Sequence, residues 1–112
     1  MTFTATLEKP SEEIAKITLS GELDASTAPL FKEEVEKATS TPVKRLVLLL
    51  QDLEYMASAG LRVLIYAKQK IGMDTDLYVV SPQESILDTL TKTGFVNSVY
   101  VVNSESEIEA AT

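Results

Sequence analysis

Phe3, Ala5 and Leu7 alternate with Thr2, Thr4, Thr6 and Glu8, the period of two expected of a strand with one buried face. Lys9-Pro10-Ser11-Glu12-Glu13 breaks the alternation as a turn. Ala15, Ile17 and Leu19 then alternate with Lys16, Thr18 and Ser20, which predicts a hairpin whose second strand ends at Gly21. Beyond it Ala28, Phe31, Val35 and Ala38 recur at steps of three and four among Lys32, Glu33, Glu34, Glu36 and Lys37. That is an amphipathic helix, with Ser26 or Thr27 placed to cap its start.

After Ser40-Thr41-Pro42 the run Leu46-Val47-Leu48-Leu49-Leu50 has no polar break, as expected of a central strand covered on both faces and ending at Gln51-Asp52. From Ala57 the pattern turns helical, with Leu61, Leu64, Ile65 and Lys68 at helix spacing and Gly72 as the stop. Leu77 to Val80 predicts the next strand. Ser81-Pro82-Gln83-Glu84 reads as a capping box with proline at the first helical position, followed by the stripe Ile86, Leu87 and Leu90, with Gly94 closing the helix. Val99 to Val102 reads as a last strand, and Ser104 to Ala111 as a short terminal helix or frayed tail. The sum, β-β-α-β-α-β-α-β with a possible final helix, predicts an α/β fold: a mixed sheet of about five strands packed with three to four helices.

Composition narrows the function. A chain of 112 residues, 45% hydrophobic and 24% charged, is expected to be one domain, 1–112, with one core. Ten Lys and Arg against 17 Asp and Glu leave a net charge of -7, which repels a phosphate backbone and an anionic membrane alike, so neither nucleic acid nor membrane is an expected partner. Glu105, Glu107 and Glu109 read as surface solvation. The chain has no cysteine and no histidine, which removes thiolate chemistry and the commonest general base and metal ligand. Neither a leader-like N-terminus nor a stretch of roughly 20 apolar residues is present, and a cytoplasmic location is the default expectation. With no phosphate loop, dinucleotide fingerprint or metal cluster in the sequence, no cofactor is expected, and the chain reads as a non-enzyme.

Two strand-to-helix junctions remain: Gly21-Glu22-Leu23-Asp24, and Met56-Ala57-Ser58-Ala59-Gly60-Leu61-Arg62. Both are expected at one edge of the sheet. In its plain reading Ser58 is an N-cap; in the sharper one it is a phosphate site, favoured by the free N–H groups and partial positive charge of a helix start. Gly60 would let another backbone approach closely. Asp24 has a plain reading too, as the organiser of a turn. A nucleophilic Ser58 would need Asp24, Asp52, Lys68 or Lys70 as its base, and none stands at a spacing that signals catalysis.

Leu19-Ser20-Gly21-Glu22-Leu23-Asp24, an amphipathic helix, a hydrophobic strand, Asp52-Leu53 and Met56-Ala57-Ser58-Ala59-Gly60-Leu61 occur in an order and spacing that resemble STAS domains. The resemblance runs from about Phe3 to Val102 and joins two motifs about 35 residues apart. Small STAS proteins of this type are anti-sigma factor antagonists, which bind an anti-sigma factor that is also a serine kinase of the GHKL type and release it when phosphorylated. The resemblance implies Ser58 as the phosphoacceptor and Asp24 as part of the surface facing the kinase. Ser26, Ala57, Ala59, Gly60 and Arg62 fall on the same surface, and a PP2C-type phosphatase is the expected reversing enzyme. Where many antagonists place an acidic residue before the acceptor and a second serine after it, this chain has Ala57 and Ala59. The same fold supports two other readings: a nucleotide-sensing STAS domain, and a scaffold subunit of a larger complex in which Ser58 only caps a helix.

Overall fold

A computed structural model describes residues 3–110; Met1, Thr2, Ala111 and Thr112 lie outside the described residues, as do the Glu109 and Ala110 side chains. Every strand of the five-stranded sheet lies beside its neighbour in the chain, in the order β1-β2-β3-β4-β5. β1 (Thr4–Ser11) and β2 (Ile14–Leu23) form the antiparallel hairpin, and β3 (Arg45–Met56), β4 (Asp76–Val80) and β5 (Tyr100–Val102) continue from β2 in parallel. Helices α1 (Ala28–Ala38), α2 (Ser58–Ile71) and α3 (Glu84–Lys92) provide the crossovers, a 3-10 turn at Phe95–Ser98 precedes β5, and α4 (Glu105–Ala110) comes after it. The mixed five-stranded sheet with four helices is the architecture the sequence predicts.

Strand periodicity assigns the two faces. Ala15, Ile17 and Leu19 of β2, Leu46, Leu48 and Leu50 of β3, and Leu77 and Val79 of β4 are buried with Phe31 and Val35 of α1, Leu64 and Ala67 of α2, and Ile86 and Leu90 of α3. On the opposite face Val47, Tyr78 and Val80 pack against Ile108 of α4, so β3 is covered on both sides. Glu105 and Glu107, read from sequence as solvated acids, instead secure α4. Glu105 pairs with Lys16, and Glu107 Oε2 accepts the backbone N–H of Asn103 at 2.7 Å and of Ser104 at 3.0 Å, closing the helix start on itself.

Four expectations change. β2 continues through Gly21 to Leu23, and β3 continues past Asp52 to Met56. The extension of β3 is irregular: it advances three residues, Leu49 to Asp52, while β2 advances two, Thr18 to Ser20, and it gains another residue opposite Gly21–Glu22. Each extra residue flips the later part of the strand to the other face, which is how Leu50, Leu53 and Met56 all become buried. Gly21, at φ +87, sits at the second irregularity, a conformation that favours glycine. In α2 the buried stripe is Gly60, Val63, Leu64 and Ala67, and Ile65 is 41% exposed. Ser81-Pro82-Gln83-Glu84 is not a capping box: α3 begins at Glu84 with Gln83 as its N-cap residue and no side-chain cap bond. Ser81, at φ +53, donates its N–H to Val102 O at 2.8 Å, and the Gln83 amide donates to Gln51 O at 3.0 Å within the β3 irregularity.

Candidate functional site

Leu23 and Met56 are the last paired residues of β2 and β3, and the Ala57 N–H donates to Leu23 O at 2.8 Å. This bond joins the two junctions. Asp24 and Ser58 each directly follow one of its partners, so both stand on the rim formed by the C-terminal ends of two parallel strands.

Asp24 organises the first junction. Its Oδ1 accepts the N–H of Ser26 at 2.9 Å and of Thr27 at 3.1 Å, and the Ser26 hydroxyl at 2.7 Å. Its carbonyl accepts the Ala28 N–H at 2.8 Å. Neither Ser26 nor Thr27 caps α1 through its side chain: Thr27 is the N-cap residue, but its hydroxyl turns back to donate to Glu22 O at 2.9 Å and to accept the Asp24 N–H at 2.8 Å. The carboxylate of Asp24 takes the amides instead. The Ser26 hydroxyl bond, opposed by partial desolvation and reinforced by the Thr27 and Ser26 amides, holds the Asp24 carboxyl below the ordinary aspartate range. It is therefore ionised at neutral pH.

Ser58 opens the second junction. Ala57, extended at φ -81 and ψ 173, is the N-cap of α2, and Ser58 is the first helical residue. The N-cap reading of Ser58 is thus corrected by one position. Gly60 and Leu61 donate to Ala57 O at 3.0 and 3.2 Å, leaving the Ser58 and Ala59 amides with no intrahelical acceptor. The Ser58 side chain is exposed and makes no hydrogen bond among the described residues. Ala59 is half-buried against the core, whereas Arg62, one turn further on, is exposed.

Gly60 is buried, and a Cβ there would lie 2.6 Å from Leu23 Cγ, 2.7 Å from Leu23 Cδ2 and 3.0 Å from Met56 Cγ. The close approach expected at Gly60 is therefore to side chains rather than to another backbone. Leu23 and Met56 seat the start of α2 against the sheet, a role that reading the sequence missed because they look like any other core residues.

A cleft of about 770 Å³ lies at the other end of the sheet, lined by residues that include Glu13, Pro42, Lys70 and Asp74, and touches neither Asp24 nor Ser58. Asp52, Lys68 and Lys70 make no hydrogen bond to Ser58 among the described residues. Among those residues no cluster of acidic side chains could hold a metal ion, and no helix is long and apolar enough to cross a membrane.

These features define an α/β domain whose candidate surface is an open rim where two loops meet. The chain belongs to the STAS domain family, whose model matches residues 8–110. It is similar to the anti-sigma-F factor antagonist RsfB of Mycobacterium tuberculosis, 29% identical over 68 residues, a stretch that is 61% of this chain and 56% of that protein. In fold it is similar to an anti-sigma factor antagonist from Mycobacterium paratuberculosis, with a TM-score of 0.88 at 23% identity over 98% of this chain and 93% of the other. It also resembles the anti-sigma factor antagonist SpoIIAA. The unphosphorylated form matches with a TM-score of 0.82 at 17% identity, over 96% of each chain. The phosphorylated form, from Bacillus, matches with a TM-score of 0.76 at 17% identity, over 97% of this chain and 100% of the other.

Proposed function

We propose that this chain is a single STAS domain acting as an anti-sigma factor antagonist. It docks through the Asp24–Ser58 rim onto an anti-sigma factor that is also a serine kinase of the GHKL type, and phosphorylation of Ser58 ends the interaction. The observation that carries this reading is the Ser58 hydroxyl: exposed, without an internal hydrogen bond among the described residues, and held on the first turn of α2 beside an ordered aspartate loop.

Each rim residue has a part in this reading. Asp24 presents a fixed charge and keeps Ser26 exposed beside it. Ala57 and Ala59 leave the hydroxyl sterically open to a kinase, Gly60 sets the helix against the sheet, and Arg62 adds a cation to the docking face. A phosphate brings about -1.5 to -2 charges into the middle of that face, which weakens a complex by repulsion and desolvation without refolding the domain. The kinase supplies nucleotide, magnesium and catalytic base, and a PP2C-type phosphatase reverses the step. The likeness to RsfB, and to an antagonist solved in unphosphorylated and phosphorylated forms, supports the reading.

The test is co-purification from the native host followed by phosphopeptide mapping, then titration of the captured partner with wild type, Ser58→Ala and Ser58→Asp. A phosphate on Ser58, capture of an anti-sigma factor kinase, and at least about tenfold weaker binding by Ser58→Asp, about 1.4 kcal/mol, are expected. Equal affinities of wild type and Ser58→Asp for the captured kinase would overturn the switch.

A further inference from the structure

Ser58 and Arg62 are four residues apart on α2, and both are exposed. At that spacing their side chains share one helix face with Cβ atoms about 6 Å apart, and a negative group on the N-terminal member is the favourable orientation for a pair. The surrounding rim is acidic: Glu22 and Asp24 close β2 and open its loop, and Glu54 lies near the end of β3.

The chain's other cations are largely engaged elsewhere. Lys16, Lys37, Lys44 and Lys92 form ion pairs, with Glu105, Glu33 and Glu34, Glu13, and Asp88 respectively. Lys32 lies 4.9 Å above the Tyr66 ring and Arg45 lies 5.9 Å from the Tyr78 ring. Arg62 makes no ion pair or hydrogen bond among the described residues. A guanidinium offers parallel N–H donors whose spacing matches two phosphate oxygens, a geometry an ammonium lacks.

We propose that Arg62 is the positioning residue for a phosphate on Ser58: once the phosphate is attached, the guanidinium donates two N–H bonds to its oxygens and holds it along α2. The inference rests on Ser58 as phosphoacceptor and adds a second part to the switch. In the unmodified protein the exposed Arg62 leaves its donors free for whatever docks on the rim. In the phosphorylated protein those donors are satisfied in cis, so one modification both adds negative charge and withdraws the rim's cation.

The full chain with phosphoserine inserted at position 58 during translation needs no kinase, and phosphorus NMR reads the phosphate's second ionisation, near about pH 6. Glu22, Asp24 and Glu54 raise that pKa in every variant, and Arg62 opposes them. Arg62→Gln is expected to raise it by about 0.3 units relative to wild type, and Arg62→Lys to recover only part of the difference. Unchanged thermal melting of unmodified Arg62→Gln verifies that the fold is intact. Identical phosphate pKa values in wild type and Arg62→Gln would overturn the role of Arg62 while leaving Ser58 as acceptor. Failure to find phosphate on Ser58 in the host would sink the proposed function without altering the NMR result.

Discussion

Replacing Gly60 with alanine adds one carbon where no room exists. The new Cβ would lie 2.6 and 2.7 Å from Leu23 Cγ and Cδ2 and 3.0 Å from Met56 Cγ, against an ordinary carbon–carbon separation of about 3.5–4.0 Å. The overlap approaches 1 Å on the nearer atoms, by roughly that comparison. Leu23 is fully buried at a strand end whose carbonyl accepts the Ala57 N–H, so its side chain has little free space to move into, and either it or the start of α2 must shift. Overpacking of this kind costs about 1–3 kcal/mol, while alanine gains up to about 1 kcal/mol over glycine within a helix. With an overlap approaching 1 Å the cost lies toward the upper end of that range, about 2–3 kcal/mol, so the net expectation is a loss of about 1–2 kcal/mol, read as a fall of about 1 M in the urea midpoint. Leu23→Ala alone removes a buried leucine at a cost of about 2–5 kcal/mol. It also opens the space that the added methyl group needs, so the double variant should lose at least about 1 kcal/mol less than the sum of the single losses. A Gly60→Ala protein as stable as wild type, or strict additivity in the double variant, would refute the packing argument.

Ser58→Ala is expected to leave stability within about 0.5 kcal/mol of wild type, because the hydroxyl caps nothing; a loss of about 1 kcal/mol in chemical denaturation would restore the N-cap role. The lowered pKa of Asp24 gives a signed pH dependence. A group whose folded pKa lies below its unfolded value of about 3.9 contributes stability above that value and loses it as pH falls through the folded pKa. Urea midpoints of wild type should therefore drop more steeply than those of Asp24→Asn over that acid range, and parallel curves would contradict the assignment.

The residues whose side chains keep strict periodicity are the legible ones. Ala15, Ile17 and Leu19 announce one face of β2, and Leu46 to Leu50 announce a strand buried on both sides, because regular pairing repeats a pattern that a sequence can carry. Past Leu50 the extra residues in β3 break the period, so Gln51-Asp52 looks like an end although the strand runs on to Met56. Capping is legible only in part. Asp24 and Ser58 fall at the expected junctions, but whether Ala57 or Ser58 is the N-cap depends on a single ψ angle, and composition is silent on it. Glu107 resembles the other acids of its segment until α4 is seen to close on it. The expectation at Ser81-Pro82 fails because Ser81 takes a left-handed conformation and its N–H bonds to β5, a long-range partner that no local motif reveals.

The sequential strand order also sets which parts of the sheet open first. β3 has a partner on each side and cover on both faces, while β5 is three residues long with one partner, β4. Amide protons should thus exchange most slowly in the centre of β3 and fastest, among the strands, in β5, with the β5–α4 end opening as a unit while the hairpin and β3 stay closed. The rim bearing Asp24 and Ser58 springs from β2 and β3, the slow-exchanging side, so fluctuations at the C-terminal edge can come and go without disturbing the surface proposed for docking.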